Sequence, residues 1–406
     1  MKRFLTPLIL FIGVFLTAQL LLQNTFFLQE QDGLFLWSKD YFTLMFRNPL
    51  PLSGIIGDFL TQFYRFRFIA ALVSAVEVVL AFLLFRGILS RFRLGWDVLS
   101  ALLACAAWVM MALAPSAKTG VFILLVLFLL FLASRLLPKK ETHALKTWIE
   151  LTGTVLLLAG SFVFLFLNPK VGSRENTAAI RVGVIYSDWD KVLSVATPEA
   201  ALEDRDMLPF AMMALGMKGQ IGDRIFDYFI PSEDYFDMKE DADPYVHLFF
   251  RGFLYNHLLC PNEAAHNFFQ LATVTEHGQS FMVLRQLVTD CFVMGDFALV
   301  RKYLAVLSRS SCHSRFIRYY EESMKKVQPR EADSIDFRRS VPLVSHDPLN
   351  NLLLLDANGL RTRFLLDRVL CTLLIRGEMD RFRAVFESVK DEYYPEVPRY
   401  YRLALK

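Results

Sequence analysis

After Asn168 the 406-residue sequence has no apolar run long enough to cross a bilayer, and that absence divides the chain in two. Other shortages narrow its chemistry. The seven histidines include no H-E-x-x-H pair, the five cysteines no C-x-x-C, and neither a G-x-S-x-G elbow nor a P-loop occurs. Metalloprotease, thiol-redox, serine-hydrolase and nucleotide-phosphate signatures are therefore missing, and no cofactor or metal is called for. A large basic excess is missing too. Residues 1–169 carry a net +6 and residues 170–406 a net −3, so the second half lacks the footprint a nucleic-acid partner needs. The acidic stretch "SEDYFDMKEDADPY" lacks the ligand spacing of a calcium loop and reads as a solvated connection.

What is present is apolar sequence, 54% of the chain, concentrated in runs near 4–22, 68–85, 96–114, 119–137 and 148–167. Each approaches the roughly 20 residues that span about 30 Å of hydrocarbon as a helix. The first follows Lys2 and Arg3 but has no small-x-small cleavage site, so it reads as a retained anchor. Basic residues lie beside alternate ends of the spans. Lys2 and Arg3, then Arg86, Arg91 and Arg93, then Arg135, Lys139, Lys140 and Lys146 mark one side, with Lys118 alone on the third connection. By the positive-inside rule the N-terminus is cytoplasmic and everything after Asn168 lies outside. Arg65, Arg67, Lys170 and Arg174 pull mildly the other way. The expected setting is a membrane with the second half on its non-cytoplasmic side.

The second half reads as helical hairpins. In "VIYSDWDKVLSVA", Ile185, Trp189, Val192, Leu193 and Ala196 form one apolar stripe if the stretch is a single helix, which turns Trp189 inward. "MLPFAMMALGMKGQ" supplies a second stripe through Leu208, Ala211 and Leu215. "YVHLFFRGFLYNHLL" carries Phe253 and His257 on one face and pairs with "AAHNFFQLATV"; "SFMVLRQLVTDCFVM" turns at Gly295 into "FALVRKYLAVL"; and "RFLLDRVLCTLLIRGEMDRFRAVFESV" turns at Gly377 and sets Phe382 on a stripe. Pro261 and Gly295 are 34 residues apart, the period of a tetratricopeptide (TPR)-type repeat. Trp189, Phe253, Gly295 and Phe382 are the expected packing positions. A polar segment at about 328–358 separates the third and fourth pairs. The reading is all-α: a transmembrane bundle of about five spans in 1–169, with an outer loop at 23–67, then a soluble hairpin-repeat, TPR-like domain in 178–406.

The segments "DWDKVLSVA", "FAMMALGMKGQIGDRIFDYF", "MGDFALVRKYLAVLSRS" and "VPRYYRLALK", with "QEQDGLFLWSKDYF" and "GDFLTQFYRFRF" in the first loop, resemble an uncharacterised Bacteroidota-type family of multi-span membrane proteins with a C-terminal TPR-like domain. The resemblance implies this architecture and, as setting, a bacterial inner membrane with the second half periplasmic; it carries over no reaction.

Chemistry-bearing residues are few. Glu77 is the one ionisable side chain deep in an expected span, where a charge costs roughly 2.5 to 3.5 kcal/mol, so it is either functional, as in a small transporter, or protonated and bonded to hydroxyls such as Ser100 or Ser161. Trp37, Tyr41, Phe42, Met45 and Phe46 suggest an interfacial helix broken at Pro49, Pro51, Gly54 and Gly57, with Glu30, Asp32, Asp40 and Asp58 exposed. Asp32 and Asp58 would be the catalytic acids if the chain were a lipid-linked glycosyltransferase-like enzyme. His257 and Cys260 lie one turn apart without a second ligand pair, which favours a core histidine beside a buried thiol. Cys260, Cys291, Cys312 and Cys371 permit disulfides in an oxidising compartment, although three of them fall on apolar helix faces or ends. The leading expectation is a membrane-anchored interaction or assembly protein that offers a helical-repeat surface to envelope proteins or peptides.

Overall fold

The computed structural model describes residues 4–66, 68–92, 96–138, 146–236, 238, 242–275, 280–327, 341, 343, 345 and 347–406. Lys2, Arg3, Arg67, Arg93, Lys139, Lys140 and much of the 328–358 segment lie outside these residues. Every regular element among the described residues is a helix, and the chain divides into two units. One comprises residues 1–178 and 309–312; the other, residues 179–308 and 313–406.

The first unit contains α1 (Leu5–Leu21), α2 (Gln23–Asp32), α3 (Lys39–Met45), α4 (Pro51–Thr61), α5 (Ile69–Leu89), α6 (Asp97–Leu113), α7 (Ala117–Ser134), α8 (Thr147–Leu167) and the start of α9 (Pro169–Ile185). Its core is built from small residues, with Ala75, Ala101 and Ala104 packed beside Leu10, Val14, Val78, Phe82 and Trp108. Small side chains let helix backbones approach closely. Many other large apolar residues point away from that core: Leu72, Val76, Leu80 and Leu83 on α5, Leu129 and Leu130 on α7, and Leu156, Val163 and Phe164 on α8 are exposed.

Five equal spans do not emerge. Among the described residues three helices are long and apolar enough to cross a membrane, namely α5 with its 3-10 extension to Phe92, α7 and α8. The first run forms the single helix α1 of 17 residues, which bends by 75° at Leu22 into α2 and makes a fourth span if the bent pair counts as one; α6 likewise has only 17 residues. A contact from far along the chain accompanies the bend. Glu175 accepts hydrogen bonds from the backbone N–H groups of Asn24 and Thr25 at 2.7 and 3.0 Å and from both side chains, so it satisfies donors that a new helix start leaves open. Arg174 does the complementary task at the end of α6, donating to the Leu113 carbonyl at 2.7 Å.

The stretch 23–67 is thus largely helical rather than a loop. Pro51, Gly54 and Gly57 do not break a helix; Pro51 occupies the first turn of α4, where its missing N–H is harmless, and both glycines lie inside that helix. Nor are all its acids exposed. Glu30 and Asp58 are buried, Asp32 is half-buried and Asp40 is exposed.

The second unit continues from α9 through α10 (Trp189–Val195), α11 (Pro198–Glu203), α12 (Met207–Met217), α13 (Ile221–Arg224), α14 (Pro244–His257), α15 (Pro261–Val274), α16 (Phe281–Met294), α17 (Phe297–Leu307), α18 (Ser314–Lys326), α19 (Pro348–Ala357), α20 (Arg363–Arg376), α21 (Met379–Tyr393) and α22 (Arg399–Ala404). One junction recurs. A residue in the left-handed region follows the helix at Ser187, Gly219, Leu259, Gly295 and Gly377, and the next N–H closes back on a carbonyl five residues earlier: Asp188 on Gly183, Gln220 on Leu215, Cys260 on Tyr255, Asp296 on Cys291 and Glu378 on Leu373, at 2.8 to 3.0 Å. This Schellman-type ending consumes a carbonyl the helix leaves open and reverses the chain into the next helix.

The junction accounts for Trp189. The 184–196 stretch is not one helix, because α9 stops at Ile185 and Ser187 turns the chain. Asp188 caps α10 through Lys191 N–H at 3.1 Å, and Trp189 becomes its first residue. Asp296 and Phe297 repeat that arrangement at the start of α17, where Asp296 accepts from Leu299 N–H at 3.0 Å. Trp189 is consequently half-buried, its ring edge-on to His257 at 5.1 Å.

Two other expectations shift. The 34-residue spacing compares unlike points, since Pro261 opens α15 and Gly295 closes α16; the equivalent junctions Leu259 and Gly295 are 36 residues apart. The α12 helix is buried almost all round rather than amphipathic. Phe253 and Phe382 are buried, while Gly295 serves backbone geometry, with φ +78°.

Candidate functional site

A cleft of about 950 Å³ opens in the second unit. Its walls come from the end of α9 and from α14, α16 and α18, with α14 and α16 each the first helix of a hairpin. That alternation follows from the junction chemistry: each reversal turns the second helix, α15 or α17, away, and α15 adds only its first residue, Pro261, to the lining.

The floor is polar where the sequence pattern promises a core. Along α16, Val283, Gln286, Leu287, Asp290 and Cys291 are all buried, the i, i+3, i+4, i+7, i+8 stripe of an inward face. Two of the five are polar, and both line the cleft. Asp290 is 1% exposed, and its Oδ2 has no hydrogen-bond partner. Burial pushes its carboxyl well above the usual carboxylate range, against a hydrogen bond from Asn256 of α14. No ion pair to Asp290 occurs among the described residues.

His257 contributes a second orphan. Its Nε2 is enclosed without a partner, and burial brings the imidazole down to about 4, so the ring is neutral near pH 7. Trp189 and Phe364 hold it edge-on at 5.1 and 6.3 Å. Aromatic side chains complete the walls: Phe316 packs on Tyr320 at 4.9 Å, the Tyr320 hydroxyl pairs with Thr289 at 2.9 Å, and the Arg285 guanidinium lies 5.4 Å from the Tyr186 ring centre. Tyr319 and Val293 are exposed at the rim.

The other sequence-derived candidates are scattered. Asp58 is 9% exposed, accepts from the Tyr41 hydroxyl at 2.8 Å and pairs with Lys118 at 3.1 Å, which makes it a tie between α3, α4 and α7. Asp32, at the end of α2, is half-buried. Glu77 is 6% exposed and lies against Gly120 of α7, where a Cβ would collide with both carboxyl oxygens. Its Oε1 has no hydrogen-bond partner. Ser100 and Ser161 do not supply one, because each donates to a carbonyl of its own helix, Trp96 at 3.4 Å and Leu157 at 2.8 Å. Phe382 stacks on Phe386 at 6.0 Å beneath Tyr401. Tyr401 and Tyr394 both donate to Asp367 Oδ1, at 2.8 and 2.9 Å, in a buried clasp that fastens α22 to α20. Cys105, Cys260, Cys291, Cys312 and Cys371 are all unbridged. No cluster of three metal-ligating side chains occurs among the described residues.

Asp290, Gln286, Asn256, Arg285 and Tyr320 are the cleft residues that motif searching passes over. Their signal was a pair of polar residues on an otherwise apolar stripe. The chain belongs to a family of unknown function, DUF6057, which matches residues 1–173 and 172–405. No curated protein and no solved structure matches it.

Proposed function

We propose that the chain is a bacterial, Bacteroidota-type inner-membrane protein whose first unit crosses the bilayer about five times, N-terminus inside. In this reading its TPR-like second unit holds a segment of an envelope protein in the cleft, outside the cytoplasm. The observation that carries the reading is the cleft, a concavity of about 950 Å³ walled by successive first helices of stacked hairpins. Helical arrays commonly grip extended partners along such a surface.

The first unit supports the membrane setting through an alanine-rich core and the many leucine, valine and phenylalanine side chains exposed on its outside. The short α6 fits a bundle because its Ala101, Ala104, Cys105 and Trp108 are buried against neighbours, and about 25 Å of helix needs little further reach when shielded from lipid. Orientation rests on the basic residues at alternate ends of the spans, Arg86, Arg91, Arg135 and Lys146 among them. Asp58 is occupied by Tyr41 and Lys118, so the glycosyltransferase alternative gains nothing from its geometry.

Photo-crosslinking tests this function. Benzoylphenylalanine replacing Tyr319 at the cleft rim in the full-length protein, irradiated in intact cells, should give a discrete adduct that Val293→Trp, which fills the mouth, abolishes. The same probe at Phe269, exposed on α15 and outside the cleft, should give none. Identical adducts from both positions, or no adduct at Tyr319, would defeat the reading.

A further inference from the structure

We infer that the partner segment held in the cleft presents one basic side chain, lysine or arginine, to Asp290. This rests on the cleft reading above and adds the charge of the occupant. Asp290 sits on the floor with Oδ2 unpartnered and 1% exposure. As a carboxylate it lacks a counter-ion; as an acid it has a proton donor with no acceptor. Each state is a buried group left incomplete, and such groups are costly unless something completes them.

The neighbours specify what would. His257 Nε2, on the adjacent α14, is a second unpartnered atom, and because the ring is neutral it accepts in the tautomer protonated at Nδ1. With Asp290 ionised, its Oδ2 and His257 Nε2 are two unpartnered acceptors on residues that line one cleft, and they suit a group that only donates, an ammonium or a guanidinium. Tyr320, Phe316 and Phe253 offer ring surfaces for the alkyl stem and the cation. Among the described residues Arg285 is the one Lys or Arg lining the cleft, and it stands on the same helix as Asp290, about 7.5 Å before it along the axis by helix rise, stacked on Tyr186. It does not neutralise Asp290, and it disfavours a second cation nearby. One basic residue is accommodated where a polybasic run is repelled.

The test uses the full-length protein in detergent micelles with two probes, N-acetyl-arginine methylamide and its uncharged near-isostere N-acetyl-citrulline methylamide, compared by ligand-observed NMR titration. The arginine probe should bind about tenfold more tightly, the scale of one charge-assisted hydrogen bond at a desolvated site. Asp290→Asn, which keeps the shape, should reduce that preference below about twofold, in line with the loss of that single contact. Gln286→Lys, one turn before Asp290 on the same face, should do the same by supplying the cation internally. Equal binding of the two probes, or a preference that survives both variants, would overturn the inference; a floor completed only by water gives that first result. If the adduct at Tyr319 persists in that case, the cleft reading stands with a neutral occupant.

Discussion

Phe268→Ala should lower the stability of the helical unit by about 3 to 5 kcal/mol, the range for truncating a fully buried aromatic ring. Phe268 is fully buried, meets Phe253 edge-on at 5.2 Å, and lies directly over Gly252. Gly252 is where α14 comes close enough to α15 for that ring to fit. A methyl group at Gly252 would collide with the Phe268 ring, so Gly252→Ala should also destabilise, by about 1 to 3 kcal/mol, as overpacking usually does. The pair is expected to be non-additive, because Phe268→Ala empties the space the new methyl needs. Trp189→Ala should have the smaller effect of the two aromatic truncations, since Trp189 is only half-buried. Thermal melts of the full-length protein followed by circular dichroism would decide. A Phe268→Ala melt that matches wild type, or one shifted less than Trp189→Ala, contradicts the packing described for this hairpin.

Gly57→Ala is the corresponding lesion in the first unit. A Cβ on Gly57 would stand 2.7 Å from the Lys118 backbone nitrogen and 2.8 Å from its Cα. Backbone cannot swing aside as a side-chain tip can, so α4 must separate from α7. The expected loss is about 3 kcal/mol, at the upper end of overpacking. Separation also disturbs the Lys118–Asp58 pair and the Tyr41 bond to the same carboxylate. Lys118→Ala should not rescue the variant, because the obstruction is main chain. Monodispersity and melting in detergent, measured on the single and double variants, report the result; full rescue by Lys118→Ala would mean that only the lysine side chain was in the way.

Sequence pattern carried the all-helical character and the apolar segments because periodicity and run length are local properties. It failed where a distant residue decides a local break. Nothing near Leu22 announces the bend between α1 and α2; Glu175, some 150 positions later, completes the start of α2. The same holds for Trp37, whose backbone N–H and indole N–H bond to Arg309 and Ser311 at 2.8 Å within the first unit. At Trp189 the stripe was apolar, but periodicity could not register that Ser187 adopts a positive φ. The cleft was half legible. Gln286 and Asp290 on an inward stripe were visible in the order of residues, whereas their convergence with Asn256 and His257 depends on how α14 and α16 stack.

The acids in the first unit show the opposite error. Asp58 read as exposed because it follows glycines and a proline in a stretch taken for a loop. Pro51 begins a helix instead, and the helix turns Asp58 onto Tyr41 and Lys118. An acidic residue in an apparently irregular stretch carries little chemical meaning until its helix is known.

The claim that the cleft faces the compartment outside the cytoplasm is tested most directly by alkaline phosphatase fusions, because the enzyme is active only where its disulfides form. Fused after Lys406, and after Pro115 between α6 and α7, phosphatase should be active in a bacterial host; fused after Lys146, before α8, it should be inactive. An inactive fusion after Lys406 beside an active one after Lys146 would put the cleft in the cytoplasm and contradict the account.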